Sequence, residues 1–456
     1  MLSPRIATGF IIRDTTTQTL SRTVTRFPGM NRMTRPLCAA HTLVRLLLAA
    51  LSTINLGAAS LVFAQEPVRI AIIDPQSGAF AATGETAYLQ LLFAADYYYN
   101  EHGGILGGRP IEIVALDNKA SVADTQQQLR RAISQGIQYI VSGNGSAPAS
   151  ALSQAIERHN RRNPKQRVLF LNYAAVDPVL TGADCNFWHF RFDSDSDMKM
   201  EVMTRAIAAN PDIHRVYIIG QDYSFGTAVA ESATTMLASK RPDIEIVGNE
   251  LHPIGQVKDF TPYVSKIVAS RADAIITGNW GADMVALARS ISDAGLNVPI
   301  YTFYAAYDGI TATLGEAGKN RIRLVHNDLA NPLTNDEHIA FNRAFKARYP
   351  DKDASQPRIA TALKMLVTAM EQTGTTDPFA VASAMEDMRV TNMDGEQVWM
   401  RASDHQAFED MHVSVHTDAG TVFDADNSGF GLLAELTVPA QETVRPSTCR
   451  MLRPTQ

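Results

Sequence analysis

The chain has 456 residues, 45% of them hydrophobic, 19% charged and 7% aromatic, with a formal net charge of −6. That length exceeds an average single domain, so two lobes are the default expectation. The acidic balance leaves no basic footprint and argues against a nucleic-acid partner; it favours solubility and says little about a ligand.

No residue from Leu46 to Ala64 is charged, and Arg32, Arg35 and Arg45 precede the run. It closes on Val62-Phe63-Ala64, small or modest residues at the positions a signal peptidase reads. The pattern predicts a signal peptide cleaved after Ala64, so that residues 1–64 are an N-terminal extension plus signal and the mature protein begins at Gln65. A membrane anchor is the alternative, because the run is nearly long enough to span a bilayer. Ser52, Thr53, Asn55 and Gly57, and the strand-like run that starts at Val68, weigh against it. Residues 1–29 resemble neither a fold nor a signal, and Met30 or Met33 would start a signal of more usual length than Met1 does. Cys38 would leave with this segment. Cys185 and Cys449 remain, an even pair in an oxidising compartment, where a disulfide is expected and two free buried cysteines are the alternative.

From Val68 onward, apolar runs alternate with helical patterns. Strands are expected at Val68–Ile73, Ile111–Leu116, Tyr139–Ser142 and Val168–Leu171, with helices at Glu85–His102, Asp124–Gln135 and Ala149–Asn160 between them. After a break around Thr181–Asp197 the cycle resumes. Helices are expected at Met198–Ala209, Thr227–Ser239, Thr261–Ser270 and Met284–Ala294, and strands at Val216–Gly220, Ile244–Glu250, Ala274–Thr277 and Ile300–Phe303. This is α/β alternation with buried parallel-type strands, run twice. Late helices near Asp336–Tyr349, Arg358–Gln372 and Pro378–Met388 suggest that the chain crosses back between lobes. Gln397–Met400 and Met411–Val415 read as a strand pair.

The glycine-rich run Gly103–Gly108 follows a helix and leads into a strand, the reverse of a phosphate-binding loop, so tight turns are expected there. Small polar residues follow three strands of the first half: Asp74-Pro75-Gln76-Ser77-Gly78, Gly143-Asn144-Gly145-Ser146 and Tyr173-Ala174-Ala175. Such carboxyl-end loops line the ligand crevice of open α/β sheets. Free N–H groups at a helix start, with a Ser77 or Ser146 hydroxyl, suit a carboxylate; helix capping is the plainer reading of either serine. In the second half, Tyr223, Phe225 and Trp280 sit at matching strand ends and Tyr304 and Asp308 just beyond another, aromatic walls plus one acid that would suit an apolar side chain and an ammonium. Asp308 alone reads more readily as a solvated turn residue, since charges usually stay in water. No Gly-x-Ser-x-Gly elbow, His-Glu-x-x-His pair or Walker loop is present, so neither an enzyme nor a cofactor is expected. Asp404-His405-Gln406 reads as a surface turn. Asp193, Asp195 and Asp197 lack the glycine and distal glutamate of a calcium loop and read as helix-start acids, so no metal is expected either.

The sequence resembles the type I periplasmic binding proteins of the leucine/isoleucine/valine-binding group of ABC importers. The stretches that carry the likeness are Ser77-Gly78 after the first strand, Asn100-Glu101-His102-Gly103-Gly104-Ile105-Leu106-Gly107-Gly108-Arg109-Pro110-Ile111, Asp117-Asn118, Asp177-Pro178-Val179-Leu180-Thr181-Gly182, Gln221-Asp222-Tyr223-Ser224-Phe225-Gly226 and Asp293-Ala294-Gly295. They run from Val68 to about Val415. The resemblance implies two Rossmann-like lobes with parallel-type sheets joined by three crossovers: residues 65–195 with 333–408 as the first lobe, and 196–332 with 409–456 as the second. It implies a small-molecule ligand, an amino acid or small carboxylate, clamped by hinge closure in the periplasm and delivered to a membrane permease. Ser146 and the backbone at Ala174 and Ala175 would take the carboxylate, Tyr223 or Phe225 with Trp280 would cover it, and Asp308 would meet an ammonium. Val176 stands where relatives often carry a threonine, and Asp308 where they carry a longer glutamate, which leaves aromatic acids, amides or urea open as ligands. A ligand sensor on the same fold is the alternative function. Similar chains also carry a cysteine after the Leu-Thr-Gly stretch and another near the C-terminus, which supports a Cys185–Cys449 bridge.

Overall fold

Apolar β-rich runs form the strands of two sheets, and the computed structural model describes residues 65–454. The expected signal segment, its cleavage site and the alternative start methionines lie outside the described residues. In chain order, β1 (Val68–Asp74), α1 (Ala81–Tyr98), β2 (Ile111–Asp117), α2 (Val122–Ser134), β3 (Tyr139–Ser142), α3 (Ser146–Arg162), β4 (Leu169–Asn172) and β5 (His189–Arg191) build the first lobe. The helix α4 (Ser196–Ala208) then leads into β6 (Arg215–Gln221), α5 (Ser224–Lys240), β7 (Glu245–His252), α6 (Thr261–Ser270), β8 (Ala274–Thr277), α7 (Gly281–Asp293), β9 (Ile300–Thr302), α8 (Ile310–Gly318) and β10 (Ile322–His326) of the second. The chain returns to the first lobe through α9 (Asp336–Arg348), α10 (Arg358–Thr373), α11 (Pro378–Met385), β11 (Arg389–Thr391), β12 (Gln397–Arg401) and β13 (Gln406–Phe408). It re-enters the second through β14 (Met411–Thr417), β15 (Gly431–Val438) and α12 (Ala440–Thr443).

The strand order is β11-β12-β13-β5-β4-β3-β1-β2 in one sheet and β15-β14-β10-β9-β8-β6-β7 in the other. Strands β1 to β5 pair in parallel, as do β6 to β10. The central strands β3, β4 and β8 are buried at every position, as strands with helices on both faces must be. The edge strands β2 and β7 carry exposed residues along their length instead. Polar side chains start the helices: Ser121 Oγ accepts from Asp124 N at 3.3 Å, and Asp195 Oδ1 accepts from Met198 N at 2.8 Å.

Two expectations are corrected. Gln397–Met400 and Met411–Val415 do not pair with each other: β12 joins the first sheet and β14 the second, and the two residues between β13 and β14 make the third crossover. Asp404, His405 and Gln406 are buried, not a surface turn. The His405 ring stacks 3.9 Å from Phe190, and Gln406 Oε1 accepts from Arg191 Nε at 2.6 Å. Short strands such as β5 and β13 carry too few residues for periodicity to reveal them.

The glycine-rich run is a turn, as expected. Gly104 has φ +80°, and a Cβ there would stand 2.5 Å from the carbonyl oxygen of Arg109, so only glycine fits. Cys185 and Cys449 form a disulfide with Cα atoms 5.7 Å apart. The segment after α12 thereby returns to the first lobe, where Arg401 Nη1 donates to Arg445 O at 2.7 Å and Arg453 Nη2 to Ala402 O at 2.9 Å.

Candidate functional site

In both sheets the chain switches sides where β1 meets β3 and β6 meets β8. Connections from such adjacent strands run to opposite faces, so the loops at their carboxyl ends part and leave a crevice. A cavity of about 830 Å³, part of it open to solvent, lies there between the lobes, within the size range of small-molecule sites.

The first-lobe wall is built from buried polar chemistry. Asp74, at the end of β1, is wholly buried and accepts from Tyr173 Oη at 2.7 Å, Asn144 N at 3.0 Å and Gly143 N at 3.2 Å. Burial, only partly offset by these hydrogen bonds, raises its pKa to about 6. Asp74 therefore fixes the loop that ends in Gly145, the cap position of α3. Gly145 has φ +108°, and a Cβ there would press on Pro148 at 3.2 Å. This turn brings Ser146, the first residue of α3, to the cavity beside Ala174, Ala175 and Val176. Ser146 is not the cap residue; its Oγ accepts from Asp177 N at 3.3 Å and ties the two loops together. The positive end of α3 faces the space where an anion would sit.

The second-lobe wall is aromatic. Tyr223, Phe225, Trp280, Phe303, Tyr304 and Tyr307 all line the cavity. Phe225 sits centrally, with ring centroids 5.8 Å from Tyr223 and 6.1 Å from Tyr304. Trp280 Nε1 donates to Tyr223 Oη at 2.9 Å, which fixes the indole plane. Asp308 follows Tyr307 in a turn where both residues have positive φ, +62° and +52°. It reaches the first lobe, accepting from Thr86 Oγ1 at 2.7 Å, and burial raises its pKa.

The floor carries charge that sequence reading missed. Lys199, His326, Asp328 and Arg358 come respectively from α4, the end of β10, the second crossover and the first residue of α10. Lys199 Nζ is 2.7 Å from Asp193 Oδ1, and Arg358 is paired with Asp328. Behind them, Asn327 Nδ2 donates to Ser194 Oγ at 2.9 Å and to Glu409 Oε1 at 3.0 Å, so one amide links all three crossovers. Burial raises the Glu409 pKa well above the usual carboxylate range and lowers that of Lys199.

Of the candidate residues, Ser146, Ala174, Ala175, Tyr223, Phe225, Trp280 and Asp308 come together in the cavity lining. Ser77 stands apart: its Oγ donates to Asp117 Oδ2 at 2.6 Å at the exposed end of the first sheet. Among the described residues no group of three or more His, Cys, Asp or Glu side chains is placed to hold a metal ion. The arrangement can seat a small acid by its carboxylate, enclose an apolar or aromatic body, and offer polar contacts at two further points.

The sequence model for periplasmic binding proteins matches residues 67–421. The chain belongs to the periplasmic binding protein family. A leucine/isoleucine/valine-binding protein homologue of Brucella melitensis is 31% identical over 422 residues, covering 89% of this chain and 97% of the relative. Among solved structures, a closed-form leucine-, isoleucine-, valine-, threonine- and alanine-binding protein from Brucella ovis matches at TM-score 0.76 and 28% identity, over 85% of this chain and all (100%) of that one. A solute-binding protein of an R. palustris ABC transporter, in complex with benzoate, matches at TM-score 0.71 and 17% identity over 84% and 99% of the two chains. This last likeness speaks for the fold alone. A periplasmic binding protein encloses its ligand between lobes, and the cavity of this one lies where that enclosure occurs.

Proposed function

We propose that this protein is the solute receptor of an ABC importer, exported to the periplasm by its N-terminal segment and cleaved after Ala64. It binds an α-amino acid or related small carboxylate between its lobes and presents it to a membrane permease. The observation that carries the reading is the pairing of walls across the cavity, the α3 N-terminus with Ser146, Ala174 and Ala175 facing Tyr223, Phe225 and Trp280. The small residues let a carboxylate reach backbone N–H groups, and the aromatic wall covers the remainder of a small solute. Asp308 stands ready for an ammonium, and Val176 removes the hydroxyl that could share it. The names of the Brucella relatives support an amino acid.

Lobe boundaries near residues 195, 332 and 408 follow from the same reading, the crossovers between them forming the hinge. Ligand favours the closed state through contacts that exist only when both walls meet it. A thermal-shift screen of the mature protein against amino acids, aromatic acids, amides and ureas tests the proposal. A micromolar ligand at millimolar concentration should stabilise by about 4 kcal/mol. Stabilisation by ureas or amides alone, with every carboxylate inert, would remove the carboxylate assignment.

A further inference from the structure

The cavity floor asks for something an aliphatic solute lacks. Lys199 is 1% exposed yet borders the cavity. Its Nζ meets one carboxylate, Asp193, and lies 5.6 Å from the centroid of the Tyr304 ring. An ammonium carries three N–H donors, and among the described residues Asp193 is its one hydrogen-bonding or ion-pair partner. The neighbouring guanidinium is already engaged. Arg358 Nε donates to Tyr173 O at 2.7 Å, Nη1 to Asp328, and Nη2 to Gln356 Oε1 at 3.4 Å.

We propose that Lys199, beside the cavity-lining Tyr304 side chain, forms a second polar pole of the cavity that binds a neutral oxygen acceptor at the far end of the ligand. The preferred solutes are then small acids ending in a hydroxyl or a carboxamide, rather than acids with a purely aliphatic or unsubstituted aromatic end. An apolar end pressed against Lys199 would strip water from its remaining donors without replacing it, and sites built to hydrogen-bond discriminate strongly against analogues that leave their donors unmet. The acceptor is neutral because the charges on the floor already cancel: Lys199 against Asp193 and Arg358 against Asp328. With Asp308 also at the cavity, a second carboxylate would bring uncompensated negative charge into a low-dielectric space.

This inference rests on the small-carboxylate reading above, and matched pairs separate the two. Leucine against asparagine and benzoate against 4-hydroxybenzoate, titrated calorimetrically into the mature protein, change only the far end of the solute. In at least one pair the polar member should bind tenfold more tightly or better. Because Lys199→Met alone leaves the buried Asp193 with only the more distant Arg358 Nε at 3.5 Å, the balanced double variant Lys199→Met with Asp193→Asn carries the test, and Tyr304→Phe is a milder second variant. The polar preference should collapse toward one in the double variant and shrink in Tyr304→Phe. Apolar members binding as tightly as their polar partners, or a preference that survives the double variant, overturns the pole and leaves the carboxylate reading standing. Failure of all four acids to bind removes both.

Discussion

The ring of Phe80, at the start of α1 in the first lobe, lies 4.2 Å from the ring of Trp280 in the second. Phe80 is 8% exposed, packs with the second-lobe core and covers Gly255 and Gly281. Among the described residues, Phe80 is not part of the cavity lining. Phe80 therefore acts on closure from outside the cavity, through Trp280, whose ring is part of the cavity wall. Phe80→Ala should lose about 2 kcal/mol of closed-state stability from lost burial and ring contact. Apparent affinity falls in proportion to the closed fraction, by roughly tenfold or more. Titration calorimetry with small-angle scattering checks this: weaker binding should accompany a larger radius of gyration at subsaturating ligand. Unchanged affinity would mean that the stack contributes nothing to closure.

Asp74 makes stability depend on pH in an identifiable direction. Its pKa rises from 3.8 to about 6 because burial penalises the charged form. The native state then holds a proton more tightly than the unfolded chain, so the cost of the buried charge is fully present above about 6 and is relieved as pH falls toward 3.8. The relief amounts to about 3 kcal/mol. Denaturant titrations of the wild type and Asp74→Asn at about pH 7.5, 6 and 4.5 should show the wild type gaining on the variant upon acidification. A difference that stays constant across the series would contradict the assignment to Asp74.

Much of this architecture was legible because parallel strands covered on both faces must be apolar throughout. Runs such as Tyr139–Ser142 and Ala274–Thr277 announce themselves, and the residues after them fall at the cavity by the topology of the sheet. Ser146, Ala174, Ala175, Tyr223, Phe225, Trp280 and Asp308 were found that way. Ser77 obeyed the same rule but was taken up by Asp117, a partner 40 positions away in sequence that no local pattern reveals. Lys199, Asp328 and Arg358 were missed for a different reason. Charged residues near helix starts and after strands ordinarily face water, and only the meeting of α4, the second crossover and the start of α10 buries these three, the two cations Lys199 and Arg358 set against the two carboxylates Asp193 and Asp328. The misread pair Gln397–Met400 and Met411–Val415 shows a similar limit. The residues between them look like a hairpin connection, and the crossover at Glu409 and Asp410 becomes visible only once the sheets are assembled.

The hinge offers a second titration, with Glu409 as its subject. Its carboxyl accepts from Asn327 Nδ2 at 3.0 Å and from Asn392 Nδ2 at 3.4 Å, and burial with Asp328 nearby raises its pKa well above the usual range. A carboxyl of this kind is least costly when protonated, so it destabilises increasingly as pH rises. Glu409→Gln keeps the shape and an acceptor while removing the charge. The variant should be at least as stable as the wild type at neutral pH, with the gap widening as pH rises. Glu409→Ala, which leaves the Asn327 amide with Ser194 as its one acceptor and a buried N–H unmet, should instead lose about 2 kcal/mol. Thermal denaturation of both variants across a pH series decides the matter, and a Gln variant that weakens as pH rises would reverse the sign of the argument.

The disulfide makes the last prediction. Cys185 and Cys449 close a loop of sequence separation 264 and hold the C-terminal segment on the first lobe. In the chain-entropy view, a crosslink over so long a loop restricts the unfolded ensemble by about 5.5 kcal/mol, with native-state strain and residual structure lowering what is measured. Replacing both cysteines by serine should lower the melting temperature by roughly 5 °C. Ligand affinity should change little, because neither cysteine lies at the cavity. Arg453 is held to Glu386 and Ala402 by hydrogen bonds that survive the substitution, so the segment should become more open to protease without being released. Limited proteolysis of the double serine variant, read by mass spectrometry, should locate early cuts between α12 and the C-terminus. Equal resistance of both proteins, with equal melting temperatures, would show that the bridge adds nothing the hydrogen bonds do not already supply.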